Sequence, residues 1–405
     1  MSKKIIIGIT GSVAAFKSIQ LISDLVKQGY QIEVMMSESA TRFVTPVCIQ
    51  SLTKRKVYVD TFDDENPAII THVDIVKDAD LFMVVPASAH TIAKLAYGMA
   101  DNMLTSAFLA ATCPKLIAPA MNVHMYENPI TQKNMQLLKE TGVVFVEPIS
   151  GLLACGDTGN GKLADEDTLL EMIDYMLAPK TLSGKNILIS AGPTQESLDP
   201  VRFITNHSSG KMGYALAKAA FQLGANVTLV SGPTHLKKPH GVNVIDVISA
   251  NDMYHQIIQC VKEYDYMIMS AAVGDYACNE IADEKIKKLT DTLTLELHKN
   301  KDILLEIGKR RLASQVICGF AMETSNLIEN AQMKLQKKNC DMIVANHLKT
   351  DGAGFQGDTN VVSILTPQEI ADYQKMSKQE LAYIILNQLA FEILNQMKKW
   401  EEQKC

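Results

Sequence analysis

Small polar residues fill the loop that precedes an alanine-rich helix pattern near the middle of the chain. The loop reads Asn-His-Ser-Ser-Gly-Lys from Asn206 to Lys211, and a strand pattern at Ile187–Ser190 lies upstream of it. Backbone N–H groups and the dipole at a helix N-terminus attract negative charge. Short hydroxyl and amide side chains add further hydrogen-bond donors. This loop is therefore predicted to hold an anionic group.

A second candidate loop follows the first strand pattern of the chain. Gly11, Ser12 and Val13 make a loop of the size that holds a phosphate, although a tight turn would have the same composition. The loop lacks the GxGxxG spacing, which argues against an ordinary NAD site. On its own this loop leaves both interpretations open.

The segment Pro119–Tyr126 places an asparagine directly after another strand pattern. The amide of Asn122 can donate to and accept from a bound carboxylate or amide. Met121 and Met125 are four residues apart, which fits core packing as well as a ligand contact. The segment is therefore a candidate binding site.

Two further side chains could move protons. Cys155 lies in the glycine-rich stretch Gly151–Lys162, which we expect to form a mobile lid, so its thiol is a candidate nucleophile or acid. His72 precedes the strand pattern at Leu81–Val85, where a single histidine is more often structural than catalytic. A single cysteine or histidine does not by itself identify the reaction that a protein catalyses.

Strands that alternate with helices must position these side chains. Amphipathic helices are predicted up to Gln28, over Met212–Leu223 and over Lys378–Lys399. The predicted strands are Lys4–Ile9, Gln31–Met36, Leu81–Val85, Lys115–Ala118, Val143–Val146, Asn186–Ser190, Asn226–Ser231, Tyr266–Ala272, Val316–Phe320, Met342–Ala345 and Val361–Leu365. The pattern indicates an α/β chain of two doubly wound, Rossmann-like domains, with ligands beyond the carboxyl ends of the strands.

Composition narrows the class of protein. The 405 residues are 47% hydrophobic and 21% charged, which is typical of folded chains, and the net charge of −6 argues against general nucleic-acid binding. Eight cysteines occur without a CxxC pair, which favours reduced thiols over structural zinc. With no signal peptide and no membrane-length apolar run, a cytoplasmic protein is expected. Pro179–Gly184 is the predicted linker between domains at 1–180 and 181–405.

The first half resembles the flavin-dependent cysteine decarboxylases. Its Pro119–Met125 segment is similar to their Pro-X-Met-Asn-X-X-Met motif, and Pro86–Ala89 is similar to their Pro-Ala-Ser/Thr-Ala stretch. The resemblance implies a flavodoxin-like flavoprotein domain with FMN as cofactor. The FMN contacts that it implies are Gly11, Ser12, Val13, Ser37, Pro86, Ala87, Ser88 and Ser106. His90 stands where the family usually has asparagine.

The same resemblance implies the roles of the remaining residues. His72 and Asn122 would be catalytic, Met121 and Asn122 would bind phosphopantothenoylcysteine, and Cys155 would protonate the product from a closing loop. The implied reaction oxidises the substrate thiol to a thioaldehyde, which eases loss of the neighbouring carboxylate. The cofactor carries the difficult chemistry, and the protein supplies orientation and proton transfer.

The second half resembles the phosphopantothenate–cysteine ligases. The similar segments are Ala191–Thr194, Asn206–Gly213, Ala271–Tyr276, Lys285–Lys288 and Gly319–Thr324. The resemblance implies activation of the acid by CTP and Mg²⁺, catalysis by Asn206 and Lys285, and a metal contact from Asp275. The implied CTP contacts are Asp275, Lys285, Lys301, Asp302, Ile303, Leu304, Phe320, Lys334 and Lys338. Lys301 replaces the usual proline of the family, and Gly274 replaces a common alanine.

Together the two resemblances span nearly the whole chain, in the order found in fused bacterial enzymes of coenzyme A synthesis. They imply ligation of cysteine to 4′-phosphopantothenate, followed by decarboxylation to 4′-phosphopantetheine. They also imply a homo-oligomer of ligase dimers and decarboxylase trimers, for which a dodecamer is one arrangement. No nucleic acid or membrane partner is expected.

Three other functions stay open at this point. A flavin prenyltransferase would keep the first fold with different chemistry, but the motifs around Asn122 and Cys155 argue against it. A regulatory binding protein usually carries long disordered or acidic extensions, and the chain has none. An NAD-dependent dehydrogenase with two Rossmann units would bind no flavin.

Overall fold

The computed structural model describes residues 2–62, 70–153, 156–287, 292–323, 326–347 and 357–404, with side-chain environments up to residue 391. The chain divides into two compact units, Met1–Ala178 and Pro179–Cys405. Among the described residues, no helix is both long enough and apolar enough to cross a membrane.

Six parallel strands form the sheet of the first unit. They are β1 Lys4–Ile9, β2 Gln31–Met36, β3 Val57–Tyr58, β4 Leu81–Ala87, β5 Lys115–Pro119 and β6 Val144–Phe145, in the order β3-β2-β1-β4-β5-β6. This is the Rossmann order, whereas flavodoxin arranges its strands as 2-1-3-4-5. The predicted doubly wound, Rossmann-like fold class is confirmed. The strand order of the first unit differs from that of flavodoxin, to which the resemblance had likened this domain. The order reverses between β1 and β4, so a ligand crevice is expected beyond their carboxyl ends.

Helices cover the sheet of the first unit on its two faces. They are α1 Ala15–Lys27, α2 Pro46–Thr53, α3 Thr71–Asp74, α4 Ala89–Ala96, α5 Met103–Ala110, α6 Val123–Glu127, α7 Pro129–Glu140 and α8 Glu166–Leu177. Ile6, Phe82 and Ile117 on neighbouring strands pack in one buried cluster with Leu104 of α5 and Met135 of α7. Between β6 and α8 lies an antiparallel hairpin, with strands β7 Ile149–Leu152 and β8 Thr158–Lys162.

The hairpin contains most of the glycine-rich stretch Gly151–Lys162, for which the sequence analysis predicts a mobile lid. Gly151 pairs with Gly159, and Leu152 pairs with Thr158. Cys155 itself lies outside the described residues. Glycines can enter a short ladder where neighbouring backbone approaches closely, so a glycine-rich composition does not by itself indicate a loop.

The second unit repeats the winding in an eight-stranded sheet of order β13-β12-β9-β14-β17-β18-β19-β20. Its strands are β9 Asn186–Ala191, β12 Asn226–Ser231, β13 Asn243–Asp246, β14 Tyr266–Met269, β17 Val316–Glu323, β18 Met342–His347, β19 Thr359–Leu365 and β20 Ile370–Ser377. Two hairpins stand outside it, formed by β10 Gln195–Ser197 with β11 Phe203–Thr205 and by β15 Tyr276–Cys278 with β16 Leu297–Lys299. The last two strands of the main sheet run antiparallel to their neighbours.

The α-helices in the described part of the second unit are α9 Lys211–Gln222, α10 Ala250–Cys260, α11 Ile303–Arg310, α12 Leu327–Lys337 and α13 Lys378–Lys404. Ile187 and Ile189 face one buried cluster, which includes Leu216 of α9 and Leu381 of α13. Leu188, between them, faces the opposite cluster with residues of α10, α11 and α12. Alternate residues of one strand therefore support two helical layers, as a doubly wound sheet requires.

Candidate active sites

The crevice of the first unit lies where the loops after β1, β4 and β5 meet. The Thr10 hydroxyl donates to the Pro86 carbonyl oxygen at 2.7 Å and accepts from the Ser88 N–H at 2.9 Å. The Ser12 hydroxyl donates to the Ala120 carbonyl oxygen at 3.2 Å. These bonds tie the three loops together at the switch point of the sheet.

A cavity of about 370 Å³ opens beside these loops, and its walls are largely apolar. Val13 and Phe16 line it while remaining 52% and 59% exposed, and Leu152 of the hairpin adds a third exposed apolar side chain. Exposed apolar side chains that converge on a cavity suit a flat aromatic ligand. The predicted residues Ser12, Val13, Met121 and Asn122 all lie on this cavity.

Asn122 connects this cavity to the hairpin. Its Oδ1 accepts from the His124 N–H at 2.9 Å and caps α6, while its Nδ2 donates to Asp157 Oδ2 at 2.8 Å. The Met121 N–H donates to the Gly161 carbonyl oxygen at 3.0 Å. A Cβ at Gly161 would stand 2.3 Å from the Met121 carbonyl oxygen, so only glycine allows the hairpin to approach this closely. The amide is thereby held in a fixed orientation.

The other predicted flavin contacts do not line this cavity. Ser37 caps a short 3₁₀ helix, Ser88 caps α4, and the Ser106 hydroxyl donates to the Ala100 carbonyl oxygen at 3.3 Å. Gly11 packs so tightly that an added Cβ would lie 2.6 Å from Ser39 Oγ. Pro86 and Ala87 are buried in β4. The predicted catalytic residue His72 is half-buried in α3, and His90, which departs from the family pattern, is exposed in α4.

The second unit has a cavity of about 260 Å³ that is rich in lysine. Four lysines line it together with only two carboxylates. The lysines are Lys299, Lys301, Lys334 and Lys338, and the carboxylates are Asp275 and Asp302. The excess of positive charge favours a polyanionic ligand. The lining also contains Ile303, Leu304 and Phe320, so it includes every predicted nucleotide contact except Lys285.

Hydrogen bonds hold two of these lysines in place. Lys338 forms an ion pair with Asp302, whose other oxygen caps α11 by accepting from the Leu305 N–H at 3.0 Å. Lys334 Nζ donates to the Phe320 carbonyl oxygen at 2.5 Å. Burial lowers the pKa of Lys338. Lys334 is therefore held toward β17, and Lys338 is held toward the N-terminus of α11.

Asn300 links the loops that carry Asp275 and Lys301. Its N–H donates to the Asp275 carbonyl oxygen at 2.8 Å, and its Nδ2 donates to the Gly274 carbonyl oxygen at 2.9 Å. The Gly274 N–H in turn donates to Thr194 Oγ1 at 2.8 Å. The sequence analysis missed Asn300, although its position between two lysines before a helix was a usable signal.

Lys285 is exposed and lies outside the cavity lining. Both backbone groups of the neighbouring residue Ile286 form hydrogen bonds. Its N–H donates to Asp199 Oδ2 at 3.1 Å, and its carbonyl oxygen accepts from Arg202 Nη2 at 2.8 Å. The Arg202 guanidinium holds the pKa of buried Asp199 well below its usual range. The stable Asp199–Arg202 pair therefore fixes the segment that carries Lys285.

Asn206 projects from the segment between β11 and α9. Its Nδ2 donates to the Ala272 carbonyl oxygen at 3.0 Å, and the Thr194 N–H donates to the same oxygen at 3.2 Å. Ala271, the preceding residue, lines the lysine-rich cavity. The structure thus places Asn206 beside one wall of this cavity.

A smaller cavity of about 130 Å³ shares Ala271 and Phe320 with the lysine-rich one. Its lining includes Ser208–Lys211 of the loop Asn206–Lys211, which was predicted to hold an anion, and the next two residues, Met212 and Gly213. It also includes Asn346, Asn360 and Lys378, which the sequence analysis did not single out. Lys378 is the first residue of α13. In the sequence it belongs to an amphipathic helix pattern, and nothing in that pattern marks it as a site residue.

The close contact between α11 and the end of α12 predicts a large effect of one methyl group. A Cβ at Gly308 would stand 2.0 Å from the Lys338 carbonyl oxygen. Gly308→Ala should therefore destabilise the second unit by about 1–3 kcal/mol, since overpacking outweighs the gain in helix propensity. A lower midpoint of thermal unfolding is expected, because the backbone at Lys338 must move. Lys309→Ala, on an exposed face of the same helix, is the control, and an unchanged Gly308→Ala variant would contradict the packing.

Comparison with known proteins agrees with both units. A family described as "Flavoprotein" matches residues 1–178, and one described as "DNA/pantothenate metabolism flavoprotein C-terminal domain" matches residues 182–392. The chain is 43% identical to the coenzyme A biosynthesis bifunctional protein CoaBC of Bacillus subtilis (strain 168), over 99% of this chain and 98% of that protein.

The protein of the same name from Vibrio cholerae is also 43% identical, over 95% of this chain and 97% of its own length. A crystal structure of the C-terminal domain of a CoaBC protein is 40% identical, covers 53% of this chain and 99% of its own, and has a TM-score of 0.47. Identity of this degree over nearly the full length of both chains shows that the chain belongs to the family of coenzyme A biosynthesis bifunctional proteins CoaBC.

Proposed function

We propose that the chain catalyses two consecutive reactions of coenzyme A synthesis. In the first, residues 181–405 join cysteine to 4′-phosphopantothenate at the expense of CTP. In the second, residues 1–180 decarboxylate the product to 4′-phosphopantetheine with FMN. The observation that carries the proposal is the presence of two chemically different crevices, one apolar and one rich in lysine, in separate compact units.

Joining a carboxylate to an amine requires a leaving group, which CTP supplies as an acyl-cytidylate with release of pyrophosphate. Negative charge develops on the phosphates in this step, and the lysines around the cavity are suited to stabilise it. Lys334 of α12 and Lys338, which directly follows this helix, line the cavity with Phe320 beside the expected nucleotide. Lys301, Asp302, Ile303 and Leu304 surround the start of α11, whose N-terminal N–H groups favour an anion.

Mg²⁺ would enter this site with the nucleotide. The described residues contain no cluster of three or more His, Cys, Asp or Glu side chains that could hold a metal alone. Mg²⁺ is commonly bound by one or two carboxylates together with substrate phosphates, and Asp275 is an exposed carboxylate on the cavity. We assign Asp275 this role, because Asp302 is already paired with Lys338.

Asn206 and Lys285 complete the proposed ligase site. The Asn206 amide, held against the Ala272 carbonyl oxygen, orients the acyl group for attack by the cysteine amine. Lys285, on a segment anchored at Ile286, adds positive charge where phosphate oxygens are released. Both roles need precise placement of a polar side chain, which the hydrogen bonds around them provide.

The cavity of the first unit supports the binding of FMN, because exposed apolar side chains converge there beside backbone loops at the sheet's switch point. When bound, FMN would accept two electrons from the substrate thiol and return them after decarboxylation. Ser12 and Val13 would contact FMN within the cavity. The hydroxyl side chains of Ser37, Ser88 and Ser106 would bind FMN from positions outside the cavity lining. Gly11, Pro86 and Ala87 shape the backbone of the same loops.

Met121 and the amide of Asn122 would hold the phosphopantothenoylcysteine substrate over this cavity. Asn122 is oriented by Asp157 and by the His124 N–H, so the plane of its amide is fixed. We propose His72 as the residue that handles the substrate proton and Cys155 as the donor that protonates the product. Cys155 lies outside the described residues, and its role rests on its sequence position.

We extend the proposal to a cytoplasmic homo-oligomer, with dimers formed by the ligase unit and trimers by the decarboxylase unit. Exposed apolar side chains support association of both units: Phe203 and Ile204 on β11, and Ile130 and Leu137 on α7. Multi-angle light scattering of the purified protein, with flavin quantified per chain, tests this assignment. A monomeric mass at micromolar concentration would overturn it.

One incubation separates the proposed function from the alternatives. Purified protein with 4′-phosphopantothenate, cysteine, CTP and Mg²⁺ should release pyrophosphate continuously, whereas omission of cysteine should limit the release to the single turnover that forms the acyl-cytidylate. Flavin absorbance in the protein as purified would contradict an NAD-dependent dehydrogenase. Absence of CTP-dependent pyrophosphate release would overturn the ligase assignment and favour a regulatory or prenyltransferase protein.

A further inference from the structure

An aromatic ring lies behind one lysine of the lysine-rich cavity and takes no part in the contacts described above. The Lys301 ammonium lies 4.6 Å from the centroid of the Tyr254 ring. Lys301 lines the cavity, whereas Tyr254 belongs to α10, is only 9% exposed and is not part of the lining. A cation within about 6 Å of a ring centroid is attracted to the ring face, and more strongly where water is excluded. The two side chains therefore form a cation–π contact at the cavity wall.

The fold holds this ring in a fixed position. The N–H of Ala250, the first residue of α10, donates to Glu196 Oε1 at 2.9 Å. Tyr254 lies one helical turn further along and packs in the same buried cluster as Ile303, the first residue of α11. Lys301 lies two residues before α11. The ring and the backbone that carries the lysine are thus anchored in one core.

A fixed ring changes what a lysine can do at a binding site. The long, flexible stem of a lysine gives its ammonium many positions, and this freedom is lost when the ammonium binds an anion. The ring face restricts the ammonium before any anion arrives. An ammonium has three N–H donors, so contact with a single ring face leaves donors for a phosphate oxygen. A carboxylate partner, such as Asp302 beside Lys338, instead neutralises the charge.

The contact depends on a residue that distinguishes this chain. Proline, the usual residue of the ligase family at position 301, has neither a positive charge nor a side chain that could reach a ring face in this way. Lys301 also stands just before Asp302, the N-cap of α11, where helix N–H groups favour an anion. The added cation and the helix terminus therefore attract the same kind of group.

We propose that Tyr254 is a positioning residue for CTP, whose ring holds the Lys301 ammonium beside the N-terminus of α11, where the ammonium binds the triphosphate. The inference rests on the proposed ligase function and extends nucleotide recognition to a residue outside the cavity lining. Because Tyr254 does not line the cavity, its effect on CTP should pass through Lys301 alone.

Isothermal titration calorimetry of the full-length protein with CTP and Mg²⁺ tests the pair without turnover. Lys301→Met should weaken CTP binding about tenfold, because a charged donor to the phosphates is lost. Tyr254→Leu should weaken it about fivefold through loss of the cation–π contact. Tyr254→Phe keeps the ring face and should stay within about twofold of the wild type. Lys309→Met, on an exposed face of α11, is the matched control and should bind CTP normally.

The double variant Lys301→Met, Tyr254→Leu separates positioning from a structural role. It should bind CTP within about twofold of Lys301→Met alone, because the ring then has no ammonium to hold. In steady-state kinetics, Lys301→Met and Tyr254→Leu should each raise the KM for CTP, while kcat and the KM values for cysteine and 4′-phosphopantothenate stay within about twofold. If Tyr254→Leu does not fold, Tyr254→Met takes its place, because methionine is flexible enough to fill the space of the ring.

Different results would overturn the proposal in different ways. Unchanged CTP binding in Lys301→Met or in Tyr254→Leu would remove the lysine or the ring from nucleotide recognition. Equal losses in Tyr254→Phe and Tyr254→Leu would assign the effect to the tyrosine hydroxyl. A further fivefold loss in the double variant would make Tyr254 a structural residue. Wild-type protein that binds no CTP would instead refute the ligase function itself, so the two failures are distinguishable.

Discussion

Asn206→Ala should leave activation of the acid by CTP intact and slow amide formation by about 100-fold, so that the acyl-cytidylate accumulates. The magnitude follows from removing one positioned donor at the reacting carbonyl. The Asn206 side chain is exposed and donates one hydrogen bond to the Ala272 carbonyl oxygen, so its removal should reduce the stability of the fold only slightly. Quenched reactions separated by liquid chromatography and mass spectrometry would detect the intermediate.

His207→Ala is the matched control, because His207 is an exposed neighbour in the same loop that lines neither cavity of the second unit. It should turn over at close to the wild-type rate. If Asn206→Ala releases no pyrophosphate, the amide acts in activation. If it forms the cysteine adduct at the normal rate, Asn206 has no catalytic role.

Cys155→Ser should permit decarboxylation but reduce formation of 4′-phosphopantetheine by at least about 100-fold. A serine hydroxyl is a much weaker acid than a thiol, and loss of a general acid typically costs 10²–10⁴ in rate. The unsaturated enethiol product should therefore accumulate while carbon dioxide is still released. Mass spectrometry of the products, together with a carbon dioxide assay, distinguishes the two steps.

Cys48→Ser is the control for this variant, because Cys48 is an exposed thiol of α2 in the same unit. It should leave both steps unchanged. Normal production of 4′-phosphopantetheine by Cys155→Ser would remove the proton-donor role. Loss of carbon dioxide release would place Cys155 in the oxidation or decarboxylation step instead.

Local patterns were sufficient to predict most of the secondary structure that holds the two sites. Lys4–Ile9, Gln31–Met36 and Asn226–Ser231 are strands with the predicted bounds, because their apolar runs are buried on both faces and end at clear turn signals. Lys334 and Lys338, four residues apart, do lie on one cavity with Phe320. The sequence motifs shared with the ligase family therefore identified residues that the fold brings together.

Other features depend on tertiary contacts that a local pattern does not reveal. Asn346 and Asn360 come from neighbouring antiparallel strands, and they meet α9 and Lys378 only after the sheet has formed. The strand β20, Ile370–Ser377, was missed because it is an edge strand with mainly exposed side chains. The predicted strand Tyr266–Ala272 ends at Met269, where the chain turns toward the lysine-rich cavity.

The most direct test of two reactions in one chain is the product balance of a single purified protein. 4′-Phosphopantothenate, cysteine, CTP and Mg²⁺ should yield pyrophosphate, CMP, carbon dioxide and 4′-phosphopantetheine in equal amounts. Removal of CTP should abolish all four products, while added phosphopantothenoylcysteine should restore only the last two. Pyrophosphate release without carbon dioxide, in protein that carries its full complement of flavin, would contradict the account.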